Sequence, residues 1–249
     1  TGGALNLGTL FRLDTTGANF ATTYSFSGTD GENPDDLRLV KASDGSFYGA
    51  TSAGGATGGG TVFRYVPGTG ALTTLYAFPG SAVDAGLIAG TDGMIYGTTY
   101  AGGANGVGSV FKIDPATFQV TTLHDFVGTD GSYPVPGALL HASDGNLYGT
   151  TQMGSSYGTV YRLNPATLAF TTVHGFSGTT DGRTPLGGLT DGASITDQSG
   201  GQRGFNGANL RGLGVSSTLV LLNGRRLANF ASPGDDAGVD RRAGLLGLV

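Results

Sequence analysis

The sequence contains no cysteine. That excludes disulfides and thiolate metal sites, and says nothing of the compartment. Charge is scarce too: Asp, Glu, Lys and Arg make up 12% of residues against 38% hydrophobic. A disordered chain carries more charge and fewer apolar groups. The formal net charge of −5 is the wrong sign for a general nucleic-acid binder, which works by neutralising phosphates. No apolar run approaches the roughly 18 residues of a membrane-spanning helix. No secretion signal is visible and the chain opens on Thr1, so it reads as an internal piece of something longer or a processed product. Sustained helical periodicity is missing as well.

Glycine, by contrast, is abundant, with 48 of 249 residues. Collagen would place it at every third position, and this chain does not. A turn-dense β protein fits, because glycine is the default wherever the backbone needs a positive φ. The glycines also recur in phrases. "GTLFRLD" from Gly8 returns as "GTVFRYV" from Gly60, "GSVFKID" from Gly108 and "GTVYRLN" from Gly158, at offsets of 52, 48 and 50 residues. Each is followed by a phrase closing on Phe26, Phe78, Phe126 or Phe176, and three are preceded by "SDGSFYGATSAGG", "TDGMIYGTTYAGG" or "SDGNLYGTTQMG". Three phrases in one order at one period define a tandem repeat.

Each unit reads as four short strands. In the third complete unit these are "GALLHA" (137–142), "NLYGTT" (146–151), "TVYRLN" (159–164) and "AFTTVHGF" (169–176). Asp144-Gly145 between two apolar runs predicts a tight hairpin, and "NPATL" and "DPATF" place Pro at the first corner of a turn. A four-stranded unit of about 50 residues has the size of a propeller blade. The expected fold class is therefore all-β: a β-propeller-like array of four-stranded antiparallel blades, about four and incomplete. Complete units are expected at 37–78, 85–126 and 137–176, within a repeat domain over 1–189. The columns Phe11, Phe63, Phe111, Tyr161 and Tyr48, Tyr96, Tyr148 are expected to fill the gaps between blades. Gly49, Gly97 and Gly149 suggest a bulge or a close approach. The array is expected to be open or barely closed, with closure through residues 185–189 or the "STLVLL" strand.

These phrases resemble the Gloeo/Verruco (GloVer) tandem repeat of bacterial choice-of-anchor surface proteins, over roughly residues 2–190. The resemblance implies a propeller-like fold and an extracellular or cell-surface setting. It carries no established catalytic residue to this chain.

Copying stops near Leu189. Residues 1–189 hold 7 basic and 13 acidic residues, whereas 190–249 hold 6 and 5. In this second segment "NLRGLGVSSTLVLLNGRRL" (209–227), with Val239-Asp240 after it, resembles the plug domain of TonB-dependent outer-membrane receptors over 193–240. Asn223-Gly224 predicts a short plug-like hairpin. No barrel of about 22 strands follows, which suggests a fusion, a rearranged gene or joined fragments. Residues 191–208 and 231–249 are expected to be loosely ordered.

No catalytic, cofactor-binding or metal-binding residue is assigned. His124 and His174 occupy the position of Tyr24 and Tyr76, so they read as packing or surface aromatics. His141 aligns with Lys41 and Ala89, which suggests a solvent-facing strand position. Asp44, Asp92 and Asp144, like Asp30, Asp130 and Asp181, are isolated and suit turns better than calcium, which gathers six to eight oxygens. Asp35-Asp36 and Asp235-Asp236 are unrepeated and read as solvated loops. "GGATGGG" (54–60) and "GGANGVG" (102–108) lack the Lys and helix of a phosphate loop and read as flexible connections. Arg225-Arg226 reads as a solvated face. Three functions remain open: a non-catalytic exported or surface module, with a carbohydrate or protein ligand at blade loops; a remnant of an outer-membrane receptor; and an enzyme on a propeller scaffold.

Overall fold

The computed structural model describes residues 2–34, 38–80, 85–155 and 157–189, with the backbone of 221–222 and 225–226. Among these residues every regular element is a β-strand. The first blade contributes β1 (Thr9–Arg12) and β2 (Ala21–Ser25). The second is β3 (Val40–Lys41), β4 (Phe47–Thr51), β5 (Thr61–Val66) and β6 (Ala71–Ala77). The third is β7 (Ala85–Ala89), β8 (Ile95–Thr99), β9 (Ser109–Ile113) and β10 (Val120–Asp125). In the fourth, β11 (Ser132–Pro134) and β12 (Leu140–His141) both pair with β13 (Leu147–Met153), which continues to β14 (Thr159–Leu163) and β15 (Phe170–Gly175). All pairs in the blades are antiparallel, and all but β11 with β13 join strands consecutive in the chain. The fold is thus an all-β, propeller-like array whose blades follow the sequence period.

The expected first strand over 137–142 is shorter than the sequence suggests. Pro136-Gly137 makes a turn, with the Ala138 amide donating to the Val135 carbonyl at 3.2 Å; of the expected strand only β12 remains, and β11 forms separately before the turn. The Asp-Gly hairpins differ as well. Only the glycine takes a positive φ: Gly45, Gly93 and Gly145 lie at 80°, 84° and 76°. Each loop has three residues, because the Asp carboxylate accepts the amide two residues on, as Asp44 does from Ser46 at 2.9 Å and Asp144 from Asn146 at 2.9 Å. That bond favours a type I turn followed by a left-handed glycine. The "DPATF" and "NPATL" turns are one residue longer than a β-turn. The Phe118 amide reaches the Asp114 carbonyl at 2.7 Å, and that of Leu168 reaches Asn164 at 2.9 Å. This puts Phe118 and Leu168 in the left-handed region at φ 61° and 60°.

The blades pack through the expected ring column. Phe26 meets Phe63 edge-on at 5.4 Å, Phe78 meets Phe111 at 5.7 Å, and Phe126 meets Tyr161 at 5.2 Å. Each closing phenylalanine thus seats on the ring of the next unit, and each such pair adds about 0.5–1.5 kcal/mol beyond area burial. Three apolar clusters follow, one per junction. Phe63, Phe111 and Tyr161 are buried, as are Tyr48 and Tyr96. The ends depart from the pattern: Phe11 is 45% exposed, and Tyr148 is half-buried, because each lacks a neighbouring blade among the described residues.

Gly49, Gly97 and Gly149 make a close approach rather than a bulge. Register runs unbroken through the pairs Gly49↔Phe63, Gly97↔Phe111 and Gly149↔Tyr161, and a Cβ on Gly49 would lie 2.5 Å from the Phe63 ring. The bulge falls on the last strand of each blade instead, next to Leu10/Phe11, Val62/Phe63, Thr122/His124 and Val160/Tyr161.

A recurring step follows the first, third and fourth blades. Asn33, Tyr133 and Thr184 take φ of 52°, 57° and 51° and donate their amides to the Leu7, Val107 and Tyr157 carbonyls of the preceding unit at 2.9, 2.8 and 2.7 Å. The proline that follows packs on the glycine heading the earlier unit's third strand. Thus Pro34 lies on Gly8, Pro134 on Gly108 and Pro185 on Gly158, where a Cβ would meet the Pro185 ring at 2.6 Å. Thr150 also donates to the Gly187 carbonyl at 3.3 Å, as Thr98 does to Val135. Residues 184–189 therefore occupy the place where a further blade would begin. In the last segment β16 (Leu221–Leu222) pairs antiparallel with β17 (Arg225–Arg226), as expected of a hairpin at Asn223-Gly224. The proposed closures through "STLVLL" and the loose order of 191–208 and 231–249 lie outside the described residues.

Candidate functional site

In the first, third and fourth blades the bulge on the last strand turns one aromatic side chain toward the Gly-Thr-(Thr)-Asp-Gly loop that follows it. The Tyr24 hydroxyl donates to Asp30, His124 Nε2 lies 2.9 Å from Asp130, and His174 Nε2 lies 2.9 Å from Asp181. The second carboxylate oxygen accepts the Ser27, Val127 or Ser177 amide at 2.8–2.9 Å. Burial pushes the Asp30 carboxyl up, but the Tyr24 hydroxyl and the Ser27 amide outweigh it and leave the group below the ordinary value. The same burial and carboxylate push the Tyr24 phenol up to about 12. Hydrogen bonds from the Ser177 side chain and amide pull Asp181 down to about 2.

Ser177, Asp181 and His174 are the residue types of a nucleophilic triad, but their order is wrong. In a triad the imidazole sits between hydroxyl and carboxylate. Here Asp181 sits between Ser177 and His174, so no proton can pass from the hydroxyl to the ring. The other copies use Tyr24 for the histidine and Val127 for the serine at the same place. The set is a loop bracket, in line with the packing role expected of His124 and His174. His124 also stacks on Phe170 at 3.9 Å.

His141 is not solvent-facing. It is 9% exposed, packs edge-on against Tyr96 at 5.1 Å and accepts the Thr91 amide at Nδ1 at 3.1 Å. Its ring fills the junction between the third and fourth blades, where Asp92 also accepts the Tyr96 hydroxyl at 2.6 Å. Alignment with Lys41 and Ala89 misled because this position faces a neighbouring blade, and that neighbour's chemistry differs from junction to junction. The glycine loops are not slack either. The Gly55 amide donates to Gly28 at 2.7 Å, which docks the first loop on the preceding segment, and Gly108 donates to Gly102 at 2.9 Å, which closes the second loop on itself. Asp44 joins Arg64 at 2.8 Å, and Arg64 lies 4.9 Å above the Phe118 ring. Among the described residues no group of three or more His, Asp or Glu is placed to hold a metal ion, and no helix is long and apolar enough to cross a membrane.

One place breaks the repeat. A cleft of about 260 Å³ opens between the second and third blades, lined by Tyr76, Phe78, Pro79, Ala104, Thr122 and Asp125 among others. Tyr76 is 40% exposed. Asp125 Oδ1 is held by the Ala104 amide at 3.0 Å. Sequence reasoning passed over this site. The signal was present: Asp125 stands where the other units carry Ser25, Ala77 and Gly175, and Pro79 stands where they carry Ser27, Val127 and Ser177.

Sequential antiparallel blades, a shared ring column and a repeated interblade step define a tandem-repeat, propeller-like β protein. The chain belongs to the Gloeobacter/Verrucomicrobia repeat family, whose model matches residues 1–207. That match runs past Leu189 into the segment whose composition differs. No curated protein matches the sequence. Among solved structures the chain is similar to TolB from Acinetobacter baumannii, at 17% identity and TM-score 0.46 over 68% of this chain and 38% of that one. It is also similar to an extracellular domain from B. thetaiotaomicron, at 14% and 0.47 over 74% and 21%. A third similar structure is the nidogen/laminin complex, at 13% and 0.47 over 73% and 62%. The chain spans less than two thirds of each of these.

Proposed function

We propose that the chain is a non-catalytic, exported or surface-displayed binding module that takes a carbohydrate in the cleft between Tyr76 and Asp125. The observation that carries this is the cleft itself. It is the feature that departs from the repeat, and it sets an exposed aromatic ring beside a carboxylate and the Thr122 hydroxyl. A sugar offers an apolar face for such a ring and hydroxyls for the oxygens. At about 260 Å³ the cleft falls just below the roughly 300–1,000 Å³ of drug-sized pockets, which suits one ring of a glycan rather than a long stretch. The exported setting rests on the family resemblance.

Titration calorimetry against glycans selected on an array tests the reading. Tyr76→Ala and Asp125→Ala should each weaken binding roughly tenfold while leaving the thermal transition in place. Glycan binding untouched by both variants, or no glycan bound at all, refutes it; a protein ligand captured at the same cleft would move the site to the other ligand class. Protease shaving of intact cells tests the location. The plug-like reading of residues 193–240 has no support from the comparisons and rests on sequence wording alone, and genomic sequence across codons 185–195 decides it.

A further inference from the structure

Three of the four bulged aromatics are tied down. Tyr24, His124 and His174 each engage a loop aspartate, whereas among the described residues no such bond holds Tyr76, whose residue is 40% exposed. Its ring packs edge-on against Phe78 at 5.1 Å, and buried Phe78 packs on Phe111 at 5.7 Å. The Tyr76 ring is thus supported from behind and presents the rest of its surface to the cleft.

Asp125 lines the same cleft, and the glycine loop before β9 is shaped around it. Its Oδ1 accepts the Ala104 amide at 3.0 Å. A Cβ on Gly103 would lie 2.6 Å from that oxygen, so only glycine lets the carboxylate in. Asp125 takes part in none of the ion pairs among the described residues, and no Lys, Arg or His lines the cleft. The other polar side chains there are the Ser109 and Thr122 hydroxyls. The cleft therefore joins an open aromatic ring to a carboxylate with no internal counter-ion.

That combination discriminates between sugars. Covering an ionised carboxylate strips its water, which costs free energy unless a partner replaces it. A neutral sugar offers only a hydroxyl in return. A protonated amine offers a charge-assisted hydrogen bond, about twice as strong as a neutral one, and is drawn to the face of an aromatic ring as well. We infer that the ligand of this cleft is a hexosamine with a free amine, its ammonium on Asp125 and its apolar face on Tyr76. This rests on the glycan reading above and narrows it to one class of sugar.

Titration calorimetry on the whole chain compares the chitosan trimer, the chitin trimer and cellotriose. The three share one backbone and differ at one substituent, which is an amine, an acetamide or a hydroxyl. The chitosan trimer should bind roughly tenfold more tightly than the other two, by a margin that shrinks as salt is added. Asp125→Asn keeps the side chain's shape and removes its charge, and should bring the three within about twofold of one another. Asp14→Asn removes the same charge from a turn of the first blade and should leave the margin intact. Equal binding of the three sugars by the parent chain overturns the inference while the glycan reading stands. So does a margin that survives Asp125→Asn, or one that Asp14→Asn abolishes as well, since either would trace the preference to the chain's overall negative charge. Binding of array glycans but none of these three also overturns the inference alone, whereas binding of no glycan at all removes both. A lysine peptide held more tightly than the chitosan trimer, and released by Asp125→Asn, would assign the cleft to a basic protein and overturn both.

Discussion

Replacing Tyr161 by phenylalanine should stabilise the array. Tyr161 continues the ring column of Phe63 and Phe111, is fully buried, and its hydroxyl has no hydrogen-bond partner. Burial alone pushes its phenol far above the ordinary value. An unsatisfied buried hydroxyl costs about 1–3 kcal/mol. Its removal leaves a void of roughly 10 Å³, which returns only ~0.2 kcal/mol at ~24 cal/mol per Å³. The ring keeps its edge contact with Phe126 at 5.2 Å and its stack on Phe170 at 5.6 Å. The net gain is therefore about 1–3 kcal/mol. For an array of this size each kcal/mol moves the melting temperature about 2–4 °C, so a rise of about 2–12 °C is expected by circular dichroism, with a matching rise in the urea midpoint at constant slope. The reverse change, Phe111→Tyr, should lower both. A Tyr161→Phe chain that melts at or below the parent temperature would show that the hydroxyl is satisfied and that the column argument is wrong.

Gly97→Ala should destabilise by about 1–3 kcal/mol through overpacking on the Phe111 ring, measured as a lower urea midpoint; a neutral result would mean the ring is free to move. Leu168→Asn should stabilise by about 1 kcal/mol, since Leu168 is 52% exposed, gains little from packing, and holds a φ of 60° that asparagine tolerates better; differential scanning fluorimetry reads it, and a lower melting temperature refutes it. Asp30, Asp44, Asp92 and Asp144 all sit below their ordinary value of 3.8. Their contribution is thus complete above that value and is lost as pH falls through the lower folded values. Urea midpoints should be flat in these groups' contribution above about pH 4 and fall below it, and a midpoint that rises on acidification contradicts the bracket geometry.

How far the sequence could be read is clear from particular residues. Phe26, Phe78 and Phe126 and the rings they strike carry the repeat, and a repeated apolar contact leaves a repeated letter. The aspartate brackets left a near-constant spacing, six residues from Tyr24 to Asp30 and from His124 to Asp130 and seven from His174 to Asp181. Single letters, however, do not say that two columns touch. His141 was placed wrongly because its partners, Thr91 and Tyr96, belong to another blade, and burial across a junction is set by the neighbour rather than by the strand's own alternation. The left-handed steps at Asn33, Tyr133 and Thr184 were invisible because three unlike residues adopt one conformation. Only the proline after each and the distant glycine beneath it are shared. The Tyr76–Asp125 cleft needed the opposite reading: attention to the letters that fail to repeat.

The proline-on-glycine seam has a consequence for how such chains can change in length. Each seam is written half in one unit and half in the next, at Gly8 with Pro34, Gly108 with Pro134 and Gly158 with Pro185. A gain or loss of one whole period taken from units that carry the seam removes or adds one proline and one glycine together and so restores a matched seam at the scar. A cut out of phase leaves a ring stranded over a side chain it cannot clear. Recombination between copies is therefore policed by sterics at the joint, and blade number can drift while the joint stays the same.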